Sequence, residues 1–356
     1  MINIIIYIIL MSISVIYATC RKNPKFEWFF DSLKVQCDYY NFDISKEIEI
    51  IIVDYNYQFE ENKEKIEEYY SNVIDNNCEY KVVEPKPTPW QGKYKVNSKL
   101  FSSAANARNT GFIYSKNNYL WFVDDESVLE KDFIYYFLNG PYKQRLNVAF
   151  AYIKLSGIKV NNGNIDHIGE STGIDCRLKI YDNNKLHEID GGNVFGYFAC
   201  KRDAFIKVNG YDEITSGIGA EDYDLGMRLQ HSGEKLYYYP KCLFYEYDHN
   251  GAPPLDGIKE ECFFKEGDVF VSKEKYLDIL QDISQSKVND SIFNTYNMSH
   301  VLLERLVTTK QYNTVGNLYN INDLSKLDVK NFDKNFDNFK MLHSILLKDY
   351  IFSFVS

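Results

Sequence analysis

No Cys-x-x-Cys pair occurs among the seven cysteines of this 356-residue chain. Cys20, Cys37, Cys78, Cys176, Cys200, Cys242 and Cys262 are scattered. An odd number without metal-type spacing predicts free, mostly buried thiols in a reducing compartment, read here as the cytoplasm. Basic residues are also in deficit: 40 Lys and Arg face 50 Asp and Glu, a formal net charge of −10. That excludes nucleic acid as the main partner, because binding a phosphate backbone needs a basic face. The apolar N-terminus "MINIIIYIILMSISVIYATC" contains no Lys or Arg, which a secretory signal normally carries ahead of its hydrophobic run. Residues 1–11 are therefore read as an apolar extension, with Met11 as an alternative start and "SISVIYATCR" as the first strand. A signal peptide cut after Ala18, or a short membrane anchor, is the alternative reading. No internal repeat is evident.

What is present describes a globular chain. Hydrophobic residues make up 45% and aromatic residues 16%, too apolar for disorder. The length suits one large core, or a main domain with an appendage. After the first strand, Asn23 can cap a helix and Pro24 suits its first turn. Phe26, Phe29, Phe30 and Leu33 then recur at helical spacing and predict one buried face. "EIEIIIVDYNY" (47–57) is a nearly continuous apolar run ending at Asp54, as in a parallel strand covered on both faces. "FEENKEKIEEYYSNVI" reads as a second amphipathic helix, and "SSAANARNTGFIYS" as a helix leading into "NYLWFVDDES". This alternation predicts a doubly wound α/β sheet whose ligand sits beyond the strand C-termini. From about 140 to 270 the pattern is less regular and rich in glycine loops. From 271 onward glycine is rare and helical spacing dominates, so a core domain over 12–270 and a helical appendage over 271–356 are expected.

Asp124, Asp125 and Glu126 follow a buried, strand-like run, and carboxylates packed this closely repel one another. A divalent cation would hold them there. In order, "SVIYATCR", "IIIVDYN", "AANARNTG", "VDDES" and "GGNVFGYFACKRDAFIKVNGYDE" with "GAEDYDLGMRL" resemble the GT-A glycosyltransferases. The resemblance is to family-2-like inverting enzymes, with a galactosyltransferase-like C-terminal half, and it covers about 12–250. "KPTPWQG" and "GIDCR" are similar to a bacterial-type subgroup of such enzymes. The implied fold is GT-A: Rossmann-like, with a mostly parallel central sheet and the helical C-terminal appendage.

The resemblance implies a metal-dependent, inverting transfer of a hexose from a nucleotide sugar, with a UDP-sugar favoured, to a hydroxyl of a glycan or glycoprotein. The acidic triplet matches the D-x-D motif, except that its third member is Glu126, one methylene longer. Asp124, Glu126 and His249 of "YEYDHNG" become the implied metal ligands. An imidazole suits Mn²⁺ better than Mg²⁺, although Mg²⁺ stays possible. Thr19, Arg21, Asp54, Arg108, Asn109, Asp124 and Asp125 are the implied nucleotide-sugar residues. Asp54 would accept from a uracil ring N–H, and Arg108 would bind diphosphate oxygens. Trp90 could stack on a base or sugar, or pack under its loop. Asp222 matches the catalytic base and Glu221 its acceptor-binding neighbour, with Gly191 and Gly192 where backbone approaches the sugar. The start of a helix at Glu221 is expected to keep Asp222 ionised without raising its pKa.

Each assignment has a plainer counterpart. The triplet could be an acidic turn, Arg108 a surface ion pair, His249 a structural histidine, and Glu221, Asp222 and Asp224 ordinary first-turn helix acids. Two other functions compete. A sugar-nucleotide nucleotidyltransferase would share the clustered acids, but it carries a glycine-rich basic loop after the first strand, and "ATCRKNPKF" has no glycine. A non-catalytic binder of glycan or nucleotide sugar would be signalled by loss of the triplet or of Asp222, and both are present.

Overall fold

The computed structural model describes residues 12–21, 23–74, 77–85, 104–208, 210–211 and 221–248, with the backbone of two further short strands. The first half consists of β1 (Ile13–Thr19), α1 (Phe26–Tyr39), α2 (Ile44–Glu47), β2 (Ile48–Asp54), α3 (Glu60–Val73), β3 (Glu79–Val83), α4 (Ala104–Tyr114) and β4 (Tyr119–Asp124). The second runs through β5 (Ser127–Leu129), α5 (Phe133–Phe137), β6 (Asn147–Leu155), β7 (Ile158–Asn161), β8 (Asn164–Ile168), β9 (Ser171–Ile174) and β10 (His187–Ile189). It continues with β11 (Phe198–Lys201), α6 (Arg202–Lys207), α7 (Glu221–His231) and β12 (Leu236–Tyr247), and a hairpin of β13 (Phe264–Glu266) and β14 (Val269–Val271) follows.

The main sheet has the order β10-β12-β6-β11-β4-β1-β2-β3, with β5 added to β12 and β9 to β6. Strands β3, β2, β1 and β4 are parallel, as the apolar runs predict, and β6 and β12 are parallel again. Strand β11 runs antiparallel between β4 and β6. This is the α/β, mostly parallel architecture expected of a GT-A fold, departing from a plain doubly wound sheet where β11 reverses direction. The region from 140, expected to be irregular, supplies most of the second half of the sheet. Gly157, Gly163 and Gly169 fall in the turns that join β6, β7, β8 and β9.

Register explains why the strand ends form one working edge. Thr19 lies opposite Asp54, and Ala18 opposite Asp124. Three C-termini therefore finish level. Below that edge, alternate side chains enter two cores on opposite faces of the sheet. Ile16, Ile51, Leu120 and Phe122 join one, while Val15, Tyr17, Ile50 and Trp121 join the other. Every residue of β2 is buried, as its unbroken apolar run requires. Helix α4 comes unusually close to β1: a Cβ on Gly111 would stand 2.2 Å from Ile16 Cγ2. Only glycine permits that approach, and it seats Arg108, one turn earlier, at the strand ends.

Helix α1 buries Phe26, Phe29, Phe30 and Leu33 as predicted, but it starts at Phe26 and not beside Asn23. Lys25 occupies the N-cap position with φ 53° and caps nothing with its side chain. The reason is tertiary. The Pro24 carbonyl accepts from Tyr17 Oη at 2.8 Å and from the Glu126 N–H at 3.1 Å, which pins this segment to the end of β4 before the helix can begin. Cys20, Cys37, Cys78, Cys200 and Cys242 are buried thiols outside any disulfide, and Cys176 is an exposed one. No helix among the described residues is long and apolar enough to cross a membrane. Met11, Trp90, His249 and, apart from Val271 in β14, the expected helical appendage over 271–356 lie outside the described residues.

Trp121, fully buried at the centre of β4, stacks on Phe133 at 5.4 Å and meets Phe29 edge-on at 5.7 Å. Removing it leaves a cavity between sheet and helices. Trp121→Ala is expected to cost about 3–5 kcal/mol of unfolding free energy in urea titrations. A cost under about 1 kcal/mol would mean that this aromatic layer is not what fixes β4.

Candidate active site

Beyond the level strand ends lies a cavity of about 300 Å³. Thr19 from β1, Ala107 and Arg108 from α4, Asp124 and Asp125 after β4, Glu221 and Asp222 from α7, and Glu246 from β12 all line it. Residues separated by more than a hundred positions therefore share one wall. Arg108 sits at the centre, only 3% exposed. One terminal nitrogen donates to Asp222 Oδ1 at 2.6 Å and lies 3.6 Å from Glu221 Oε1. The other donates to both oxygens of Asp124, at 3.0 and 3.3 Å. The Tyr211 ring stands 5.1 Å from the guanidinium carbon, a cation–π arrangement. The same cation thus holds the D-x-D side of the site to the Glu-Asp side.

Asp125 and Glu126 are held by a second arginine. Thr19 Oγ1 donates to Asp125 at 2.7 Å, and Arg21 Nε lies 3.3 Å from Asp125 and 2.8 Å from Glu126. Glu126 has φ 52° and is turned onto Arg21. It is not among the residues lining the cavity, whereas Asp124, Asp125 and Glu246 are. These three are oxygen donors of the kind a hard divalent cation takes. Among the described residues, however, no group of three or more His, Cys, Asp or Glu side chains is already gathered to hold a metal.

A second cavity of about 330 Å³ adjoins Arg21 on the other side, lined also by Asp54, Asn56, Asn62, Lys65 and Tyr69. Asp54 is 2% exposed and accepts from the Asn56 N–H at 2.8 Å and from Tyr70 Oη at 3.1 Å. Arg21 borders this cavity and also pairs with the Asp125 carboxylate that lines the first.

Other sequence-picked residues fall elsewhere. Asn109 does not line either cavity; its amide donates to the Tyr211 carbonyl and accepts from the Tyr211 N–H, each at 2.9 Å. Its place is behind Arg108, fixing the ring that faces it. Gly191 makes a close backbone approach, but to helix α7: a Cβ there would stand 2.4 Å from the Gly226 carbonyl oxygen. Gly192 likewise meets the Tyr223 ring. These two glycines seat a loop on α7 and do not line the cavity. Helix α7 is tied down from its other side by Arg228, which pairs with Asp224 and donates to the Val208 and Gly210 carbonyls.

Burial dominates the electrostatics. It pushes Asp222 up to about 7, against the lowering effect of Arg108 and with Glu221 and Asp124 adding to the rise. The expectation that a helix N-terminus would leave Asp222 unshifted is therefore corrected: removal from water outweighs the helix dipole. Burial likewise raises Asp125 and Asp54 to about 6 each, and Glu246 to about 7 despite Lys154 at 3.2 Å. Burial would lower the Arg108 pKa, but Asp222 and Asp124 more than offset it and hold the guanidinium charged.

Glu246 is the residue that sequence reading passed over. It sits in "YEYDHNG" three positions before His249, and only the pairing of β12 with β5 and β6 brings it to the cavity. Its one sequence signal is a lone acid in a strand that is mostly apolar and aromatic.

One known family and several solved structures match parts of the chain. The family described as the N-terminal domain of galactosyltransferase matches residues 184–250, the segment that contains Glu221, Asp222 and Glu246. No curated protein sequence matches the chain. Among solved structures, TarS 1-349 from S. aureus in complex with UDP-GlcNAc aligns at 14% identity, with a TM-score of 0.45 and coverage of 79% of this chain and 68% of that one. GalNAc-T7 with UDP, GalNAc and Mn²⁺ aligns at 13% identity, with a TM-score of 0.44 and coverage of 86% and 56%. The matched family segment and the sheet order support a glycosyltransferase on a GT-A fold.

The raised carboxylates make a pH prediction. A carboxyl whose folded pKa lies above its unfolded value of 3.8 stabilises the fold below that value, and the contribution is lost as pH rises through the folded pKa. Asp222 therefore favours the folded state at about pH 5 relative to about pH 8, and Asp222→Asn removes that dependence. In melts at constant ionic strength, the change in Tm between these pH values should be smaller in Asp222→Asn than in the parent. An identical pH response in the two proteins would contradict the burial assigned to this carboxyl.

Proposed function

We propose that this chain transfers a sugar from a UDP-sugar to a hydroxyl group of a glycan or protein-linked glycan, with inversion at C1. The observation that carries the proposal is the Arg108 junction, which gathers Asp124 and Asp222 on one cavity at the strand ends. The galactosyltransferase-type segment over the Asp222 side supports the same reading.

In this proposal the nucleotide occupies the cavity beside Asp54 and Arg21. Each Asp54 oxygen keeps a lone pair after taking its one neighbour, so the carboxylate can still accept from a uracil N–H. The diphosphate then faces Arg21, Arg108 and Asp124. A divalent cation, Mn²⁺ or Mg²⁺, would be held there by Asp124 and Glu246, carboxylates that line the cavity, and not by Glu126, which is turned away onto Arg21. When bound, it supplies positive charge against the diphosphate leaving group.

The acceptor oxygen attacks C1 as the C1–O bond to the diphosphate breaks, and that electron pair leaves with UDP. The hydroxyl proton passes to the Asp222 carboxylate. A carboxyl pushed up to about 7 suits this task, because a base poised near the working pH is both ionised and proton-seeking. Glu221, beside it on the first turn of α7, is assigned to the acceptor hydroxyls. Arg108 has two tasks: it keeps Asp222 partly ionised, and it offers charge to the diphosphate.

Asp222→Asn is expected to lower transfer by ~10²–10⁴-fold while leaving UDP affinity nearly unchanged. Asp124→Asn should weaken UDP binding itself. Calorimetry of UDP with Mn²⁺ and with EDTA separates the metal's share: the proposal expects weak binding in EDTA. Equal affinity in both solutions would remove the metal from the donor site, and an Asp222→Asn enzyme at full rate would remove the base.

A further inference from the structure

Outside the cavity lies a cluster that the proposed chemistry does not use. Asp175 and Arg177, in "GIDCR", form an ion pair with both side chains fully buried. Arg177 Nε donates to Asp175 Oδ1 at 2.9 Å, and a terminal nitrogen donates to Oδ2 at 2.8 Å. The Arg177 backbone N–H donates to Oδ1 as well, at 2.9 Å, and Tyr238 Oη adds a fourth donor at 3.1 Å. The guanidinium is sandwiched between the rings of Phe195, at 3.9 Å, and Tyr238, at 4.4 Å.

Such a pair is a poor way to gain stability, since desolvation of two charges can exceed their attraction. Its geometry indicates another use. The remaining donors of Arg177 reach three backbone carbonyls: Asn193 at 2.8 Å, Phe150 at 2.9 Å and Phe195 at 3.1 Å. Two of these belong to the loop between the short turn at Gly191–Asn193 and β11. That loop ends at Gly196, whose φ of 72° suits glycine and whose Cβ would press on the Tyr152 ring at 3.0 Å. The Gly196 N–H then donates to Asp222 Oδ2 at 3.2 Å. Opposite, Asp222 Oδ1 is taken by Arg108. The carboxylate is thus clamped on one oxygen by α4 and on the other by a loop whose shape Arg177 sets.

We infer that Asp175 and Arg177 are positioning residues for Asp222, acting through the 193–196 loop and the Gly196 N–H. The inference rests on the reading of Asp222 as the base. Only a planar, forked cation can bind a carboxylate and three carbonyls at once while its carbon stays over two rings. Lysine keeps the charge and loses that geometry, so Arg177→Lys should loosen the loop and release one of the two clamps.

The test uses the full chain and donor turnover, to acceptor or to water, with Asp222 titrated in parallel by ¹³C NMR of its carboxyl carbon. In Arg177→Lys, kcat should fall by about 10–100-fold while UDP affinity holds within about twofold. Loss of the Gly196 N–H, which favours the ionised form, should move the Asp222 titration and the acid limb of kcat to higher pH. The other groups facing Asp222 are Arg108 from α4, Asp124 from β4, Glu221 on its own helix and Tyr211, and none of them is changed. Tyr238→Phe, which removes one hydrogen bond to Asp175, should shift both readouts the same way by less. It carries the test if Arg177→Lys does not fold. Folded variants with an unmoved Asp222 titration and unchanged kcat would overturn the inference and leave the pair purely structural, as would UDP affinity falling in step with kcat. If the parent protein turns over no sugar nucleotide, the proposed function fails, while the NMR titration still decides whether the loop positions Asp222.

Discussion

The site depends on one buried cation. Arg108 takes Asp124 from the end of β4 and Asp222 from the start of α7, with Glu221 close by. Without it, these like-charged carboxylates would face one another across the cavity, and two elements far apart in sequence would repel. Its Nε has no partner among the described residues, an incomplete satisfaction that a ligand-binding group can carry and a purely structural one rarely does. The glycine at 111 makes this possible, because it lets α4 settle against Ile16 and so fixes where Arg108 enters the edge.

From that junction outward, the fold works as a frame with two separately anchored sides. Level strand ends fix Thr19, Asp54 and Asp124 relative to one another. Helix α7 is anchored independently, by Arg228 on the Val208 and Gly210 carbonyls and by backbone-to-backbone packing of Gly191 on Gly226. Arg108 spans the two sides. Buried arginines that bind main-chain carbonyls recur at Arg177 and Arg228, where they give irregular segments the definition that hydrogen-bonded strands already have. In this account the parallel half of the sheet serves the nucleotide and the α7 half serves the acceptor.

Much of this was legible in the sequence because it rests on local pattern. The nearly continuous apolar run ending at Asp54 read as a covered strand, the Phe26, Phe29, Phe30 and Leu33 spacing read as a buried helix face, and the acids at 54 and 124–126 fell at strand ends. Arg108, Asp124 and Asp222 were picked out by motif, and the structure brings them together on one cavity. Features set by tertiary contact were not. Glu246 reaches the cavity only through pairing of β12 with β5 and β6. The resemblance put Asn109 among the nucleotide-sugar residues, yet its neighbour in space is the Tyr211 backbone. The Asp222 pKa was misjudged because the dipole of a helix can be read from sequence, whereas the desolvation that outweighs it cannot. Helix α1 starts late because Pro24 is held by Tyr17 and Glu126, partners that no local rule supplies.

The central claim is that a single carboxylate, on the side of C1 away from the leaving diphosphate, drives a direct displacement. Water can stand in for an unidentified acceptor, so the claim is testable now by following hydrolysis of α-linked UDP-GlcNAc, UDP-GalNAc and UDP-galactose by proton NMR, fast enough to precede mutarotation. The account predicts that the first free sugar to appear is the β anomer. Initial release of the α anomer would contradict it, because retention requires two displacements or front-face attack and leaves Asp222 without the role assigned to it.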